Sequence, residues 1–205
     1  MASIYDIKPQ FQNLLRPFVN WLAKIGITPN QVTIGAMVLS IITGILLILF
    51  HESSYILLVI PVVMFVRMAL NAIDGMLAKE HQMTTRLGNI LNELGDVISD
   101  AFLFLPFAIL PEFSASLIIV IVIFSIISEM AGILGEVIGA SRRYDGPMGK
   151  SDRAFVFGLL AILTAFNLIP RLVVTIILAL TLLLIVLNIF IRIHRALKEE
   201  EEHAV

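Results

Sequence analysis

Six carboxylates interrupt otherwise apolar stretches of this chain: Asp74, Glu93, Asp96, Asp100, Glu129 and Glu136. An acid at the centre of a membrane helix costs on the order of 2.5–3.5 kcal/mol on insertion scales. A group of them therefore calls for a cation, a basic partner or a water-filled cleft. Helical spacing sorts them into faces. At 100° per residue, Arg67, Asn71, Asp74, Gly75 and Ala78 fall within about 80° of one face. Gly88, Asn92, Gly95, Asp96 and Ser99 share a second face in the same way. Carboxylate and amide oxygens are hard ligands that suit a divalent cation. The small residues between them leave room for a flat ligand or a close backbone approach. Small residues also permit close helix packing in membranes, so the glycines alone do not decide between these roles.

Long apolar helices must position such faces. Of 205 residues, 59% are hydrophobic and 15% charged, and mean hydropathy is +0.97. Soluble domains sit near 45–50% apolar and 25% charged, so the composition points to an all-α integral membrane protein. Stretches at about 29–50, 54–79, 87–110, 113–140, 153–169 and 172–194 each approach the roughly 20 apolar residues that a span needs. The expected fold is a six-transmembrane-helix bundle. The second and third spans are joined by about seven residues, which predicts antiparallel neighbours. Lys8, Arg16, Lys24, Lys79, Arg86, Arg142, Arg143, Lys150, Arg153, Arg192, Arg195 and Lys198 fall on one side, and Arg171 alone on the other. By the positive-inside rule both termini are cytoplasmic.

Before the first span, Ile7, Phe11, Leu14, Leu15, Phe18, Leu22 and Ile25 recur at helical spacing around Lys8, Gln12, Arg16 and Asn20. This stripe reads as an interfacial amphipathic helix over 1–26 with Trp21 at headgroup level, or as a helix packed on the bundle. The membrane domain then covers 27–197. An acidic tail over 198–205, with Glu199 to Glu202, reads as a frayed, solvated end. The chain has no cysteine, which excludes thiolate chemistry, and its net charge of -2 argues against nucleic acid as a partner.

The run from Asn71 through Asp74, Gly75 and Ala78 to Lys79, then eight residues, then Gly88, Asn92 and Asp96, resembles the CDP-alcohol phosphotransferase signature. That signature reads D-x-x-D-G-x-x-A-R, eight or nine residues, G-x-x-x-D-x-x-x-D. Thr28-Pro29-Asn30-Gln31-Val32-Thr33 is similar to the start of the family's first span. NAIDGMLAK and GPMGKSDR resemble a bacterial inner-membrane branch of the family. The resemblance implies transfer of a phosphatidyl group from CDP-diacylglycerol to an alcohol with release of CMP. It also implies one or two Mg2+ or Mn2+ ions, and a homodimer in the inner membrane. By position, Asn71, Asp74, Asn92 and Asp96 match the metal-binding residues, and Asp96 matches the base. Asn30, Gly75, Ala78, Lys79, Thr85 and Gly88 match positions at the nucleotide and diphosphate.

Two departures bear on the chemistry. Asn71 and Asn92 stand where the family has Asp, and Lys79 where Arg is usual. Four carboxylates balance two divalent cations, whereas Asp74 and Asp96 carry half that charge. One metal, two metals with help from the substrate or from Glu93 or Asp100, and loss of catalysis with lipid binding retained all follow; Asp100 is the favoured compensating acid. On the acceptor side, Arg142, Arg143, Lys150 and Arg153 form the densest basic cluster, and guanidinium groups match phosphate oxygens. They fit a phosphorylated acceptor such as glycerol 3-phosphate, or serve only as cytoplasmic anchors. Glu129 and Glu136 are expected to pair with Arg143 or Arg67, or to contact acceptor hydroxyls. A transporter also uses intramembrane acids, but the outer halves of the spans are almost purely apolar and no second motif repeats the first.

Overall fold

The computed structural model describes residues 4–203, with side chains from Gln10 to Glu202. Met1 to Ser3, the Ile7 and Lys8 side chains, and Ala204-Val205 of the expected tail lie outside the described residues. Seven helices follow in order: α1 Ile4–Lys24, α2 Pro29–Leu49, α3 Val59–Glu80, α4 Arg86–Phe104, α5 Ala115–Val137, α6 Lys150–Ala165 and α7 Arg171–His203. Short 3₁₀ segments at Ser54–Leu58 and Leu105–Ile109 lead into α3 and extend α4. Among the described residues there is no strand.

Each apolar stretch expected from the sequence forms a helix. Four segments are long and apolar enough to cross a membrane: Pro29–Leu49, Ser54–Glu80, Ala115–Val137 and Arg171–Glu202. The other two fall short for different reasons. α4 carries Arg86, Glu93, Asp96 and Asp100. α6 has 16 residues, roughly 24 Å at 1.5 Å per residue, against a hydrocarbon core of about 30 Å.

Local sequence sets the helix ends that matter for the site. Gly26 turns the chain after α1 at φ +80, a conformation that glycine adopts without steric cost. Thr28 then caps α2: its hydroxyl accepts from the Gln31 N–H, the Gln31 side chain accepts from the Thr28 N–H, and Pro29 opens the first turn. At α4 the cap is Thr85, whose hydroxyl accepts from the Gly88 N–H at 2.9 Å.

The helices pack in the order α7–α5–α4–α2–α3–α6, with α1 lying on α3. In the main core Phe104 and Phe157 stack with ring centroids 4.1 Å apart, and Phe107 meets Phe157 edge-on. Val19 of α1 meets Val32, Ile73, Met76 and Leu77 in a second, smaller core. Arg16 of α1 also pairs with Glu80, and Asn20 bonds His81. Leu14, Phe18, Trp21 and Ile25 remain exposed, the arrangement of a helix that both docks on the bundle and offers an apolar face to lipid.

Two expectations change. α3 and α4 are not packed neighbours; each packs against α2, and they meet through side chains. The physical reason is that Arg67, Asn71, Asp96 and Asp100 point between them, and charged groups do not interdigitate as apolar ridges do. The result is a polar wedge. Nor do residues 198–203 of the acidic tail leave the helix, since α7 runs to His203 and Glu199 accepts from both the N–H and hydroxyl of Ser141 at 3.0 and 2.9 Å.

α2 and α4 approach closely at Gly44, where a Cβ would stand 2.2 Å from the Phe102 carbonyl oxygen. Gly44→Ala must therefore push the two helices apart. It is expected to cost about 1–3 kcal/mol, read as a lower thermal midpoint of the purified protein in detergent.

Candidate functional site

The α3–α4 turn, the start of α2, the α5–α6 loop and the end of α7 gather at one end of the bundle. Asn30 follows the Thr28 cap in the first turn of α2, and a Cβ on Gly88 would lie 2.8 Å from its Oδ1. Asn30, Thr85 and Gly88 are thereby brought together between α2 and α4. Gly75 and Ala78 are half-buried on α3 and Lys79 is exposed. A Cβ on Gly75 would meet nothing within 4 Å, so open space lies beside Asp74.

Asp74 is 6% exposed and accepts a 2.7 Å hydrogen bond from the Thr33 hydroxyl. Among the described residues no basic side chain pairs with it. Asp96 and Lys150 lie within electrostatic reach. Asp96 is surrounded by donors: the Asn71 amide at 3.4 Å, Arg67 Nη2 at 3.8 Å and the Lys150 ammonium all address its Oδ1. Asn92, one turn earlier on α4, is exposed. Among the described residues no three acidic or histidine side chains converge as metal ligands. The oxygen set centred on Asp74 and Asn71, with its buried charge and adjacent space, fits one divalent cation.

Asp100, the expected compensating ligand, is 8% exposed and taken up by arginines: Arg67 at 3.0 Å on one oxygen and Arg153 at 3.1 Å on the other. Arg153 is 1% exposed and also binds Glu129 at 3.0 Å and the Met148 carbonyl at 3.3 Å. Arg142 pairs with Glu93 and Glu129 and stacks over Tyr144. Arg143 pairs with Asp145 and Glu199. The four acceptor candidates thus all carry carboxylate partners. Glu129 does not pair with Arg143 or Arg67 as expected but with Arg142, Arg153 and Arg192, and Glu136 is exposed. The reason is the loop after α5, which folds back so that the Arg143 N–H donates to the Gly132 carbonyl. That reversal turns Arg142 inward and Arg143 toward α7.

Three residues of this cluster had no assigned role from sequence. Arg192 is 2% exposed and donates to the Ser128 carbonyl at 2.6 Å, and Asn188 is fully buried and bonds Ser128 and the Asp145 carbonyl. Their signal was available: two polar residues four apart in an apolar run share one helix face. Asp145 links the loop to Arg195. Burial acts to raise its carboxyl, but hydrogen bonds from Arg195 and Arg143 outweigh this and hold it below the usual carboxylate range.

The cluster as a whole is cation-rich. Arg67, Arg142, Lys150, Arg153 and Arg192 face Glu93, Asp96, Asp100 and Glu129. Arg67 Nε and Nη2, Arg142 Nε and Arg153 Nε are buried without hydrogen-bond partners among the described residues. Next to it, a cavity of about 560 Å³ lies between α3 and α6, with Met64, Phe65, Phe155 and Leu159 on its apolar walls and Arg67, Asn71 and Lys150 at its polar end.

Comparison with known proteins places this arrangement. The chain is 54% identical over 157 residues to the inner membrane protein YnbA of Escherichia coli (strain K12), covering 77% of this chain and 78% of that one. Its fold is similar to the phosphatidylinositol phosphate synthase PgsA1 of Mycobacterium tuberculosis. The form of that protein with CDP-DAG bound superposes at TM-score 0.73 with 21% identity, over 88% of this chain and 92% of the other. The form in complex with manganese and citrate gives 0.72 with 22% identity, over 88% and 87%. The CDP-alcohol phosphatidyltransferase model matches residues 26–193. With the motif residues, the helical fold and this match in agreement, the chain belongs to the CDP-alcohol phosphatidyltransferase family.

Proposed function

We propose that this protein is a membrane phospholipid-synthesis enzyme that transfers a phosphatidyl group from CDP-diacylglycerol to a phosphorylated alcohol and releases CMP. The observation that carries the reading is Asp74: a buried carboxylate without a basic partner, beside open space at Gly75, one turn from Asn71 and across the wedge from Asp96. Burying such a charge without a ligand is costly, and the space beside it at Gly75 leaves room for one.

In this reading six helices cross the inner membrane, with α4 completed by its 3₁₀ extension, both termini are cytoplasmic, and α1 lies in the interface as a segment over 1–26. The bundle over 27–197 pairs as a homodimer, and the acidic end over 198–205 stays outside the bilayer. The cytidine lies near Asn30, Thr85, Gly88 and Gly75–Lys79, and the diacylglycerol enters the α3–α6 cavity. Asp74 and the Asn71 amide oxygen would hold Mg2+ or Mn2+, which would supply charge neutralisation at the donor's diphosphate. Asp96 Oδ2 accepts the proton of the acceptor hydroxyl, which then attacks the phosphatidyl phosphorus as CMP leaves. The basic loop and the guanidinium N–H groups without partners among the described residues favour an acceptor that carries phosphate, with glycerol 3-phosphate the first candidate.

The test incubates purified protein with labelled CDP-diacylglycerol, Mg2+ or Mn2+ and a panel of alcohols. A new lipid and CMP are expected with a phosphorylated alcohol. No CMP with any acceptor and either metal overturns the reading. The amides at Asn71 and Asn92 favour a second reading, a member that binds CDP-lipid without turnover or scaffolds a synthase; retained CDP-diacylglycerol binding with no CMP release is its signature.

Gly75 separates binding from folding. Because a Cβ there meets nothing, Gly75→Ala is expected to leave the thermal midpoint unchanged. The apparent KM for CDP-diacylglycerol should rise about tenfold, roughly 1.4 kcal/mol of lost binding.

A further inference from the structure

We propose that the Lys150 ammonium takes the place of a second metal ion, so that this chain works with a single divalent cation and a built-in fixed one. The inference rests on the diphosphate being bound at this cleft, and it concerns how many charges the protein must import. The motif positions 71, 74, 92 and 96 hold two carboxylates and two amides, enough negative charge to balance one divalent cation.

The two carboxylates are treated differently. Asp74 receives only hydroxyl and backbone donors and faces open space. Asp96 has Asn71, Arg67 and Lys150 on the same oxygen, Oδ1. The Asn71 amide and the Lys150 ammonium both reach that oxygen and the Arg67 guanidinium lies 3.8 Å from it, so a second metal ion there would meet two fixed positive charges. The amide at Asn71 takes part in this switch, since its N–H₂ donates to Asp96, a contact that two facing carboxylates could make only with a proton or a cation between them. Asn92 is exposed and adds no charge.

Lys150 is also the first residue of α6, where unpaired N–H groups add positive potential. The Asp152 side chain accepts from the Gly149 N–H at 3.1 Å and fixes that turn. An ammonium so placed is a compact point charge at the polar end of the α3–α6 cavity. It can meet a diphosphate oxygen without a second ion.

The test counts metal directly. Mn2+ is titrated into detergent-solubilised protein in the presence of CDP-diacylglycerol and followed by electron paramagnetic resonance. One uncoupled Mn2+ per chain is expected. Lys150→Ala should still bind one ion but lose CMP release at least a hundredfold. The triple variant Asn71→Asp, Asn92→Asp, Lys150→Ala should bind two exchange-coupled ions. Two coupled ions in the unmodified protein, or none, overturn the proposal, as does a Lys150→Ala protein with unchanged turnover. If the unmodified protein binds one ion yet releases no CMP with any acceptor, the one-metal site stands and the enzyme reading fails.

Discussion

Asp96→Asn is expected to lower CMP release from CDP-diacylglycerol by at least ~100-fold, the low end of what a positioned general base contributes. The substitution keeps the side chain's shape and leaves an amide oxygen to accept from Asn71, but removes the only charge that could take the acceptor's proton at this position. Its opposite carboxylate, Asp74, is turned to Thr33 at 2.7 Å and sits on another helix, so it cannot stand in. Because Lys150 and Arg67 lose a counter-charge, folding must be checked apart from turnover. The variant should elute as the native species and still bind CDP-diacylglycerol. Asp96→Glu, which restores a carboxylate on a longer stem, should recover part of the rate. Unchanged CMP release from Asp96→Asn would remove Asp96 from the chemistry, whatever else the cleft does.

Much of this cleft was legible before any coordinates. The 3.6-residue period placed Asn71 and Asp74 on one face and Asn92 and Asp96 on another, and a carboxylate in an apolar run announces a partner by its cost alone. What stayed hidden depends on a chain reversal. Arg142 and Arg143 are adjacent, yet one turns to Glu93 and Glu129 and its neighbour to Asp145 and Glu199. No periodicity rule covers an irregular loop folded back on α5. The same reversal gave Asp145 and Glu199 partners more than 40 residues away in sequence. The splay of α3 from α4 was hidden for a related reason: a short connection predicts proximity, and only the bulk of the side chains between two helices says whether their backbones can meet.

Arg153→Met is expected to be the most destabilising single change in the bundle, at about 3–5 kcal/mol, the cost of removing one partner from a buried ion pair. Arg153 is 1% exposed and joins Asp100 of α4 to Glu129 of α5 from its place on α6. Methionine fills most of the volume, so the penalty comes from charge. Asp100 keeps Arg67, and Glu129 keeps Arg142 and Arg192, but neither regains the donor that tied α6 to them. Arg153→Lys, which keeps the charge but lacks the guanidinium fork that spans Asp100 and Glu129, should return only part of the lost stability. Thermal unfolding in detergent reads both results. Binding of the acceptor phosphate by Arg153 predicts something else: a higher acceptor KM in Arg153→Met with an unchanged thermal midpoint. The full burial of this guanidinium, with both carboxylates within 3.1 Å, argues for the first outcome. Acceptor phosphate is then left to a group nearer the cavity, the Arg67 guanidinium, whose Nε and Nη2 have no hydrogen-bond partner among the described residues.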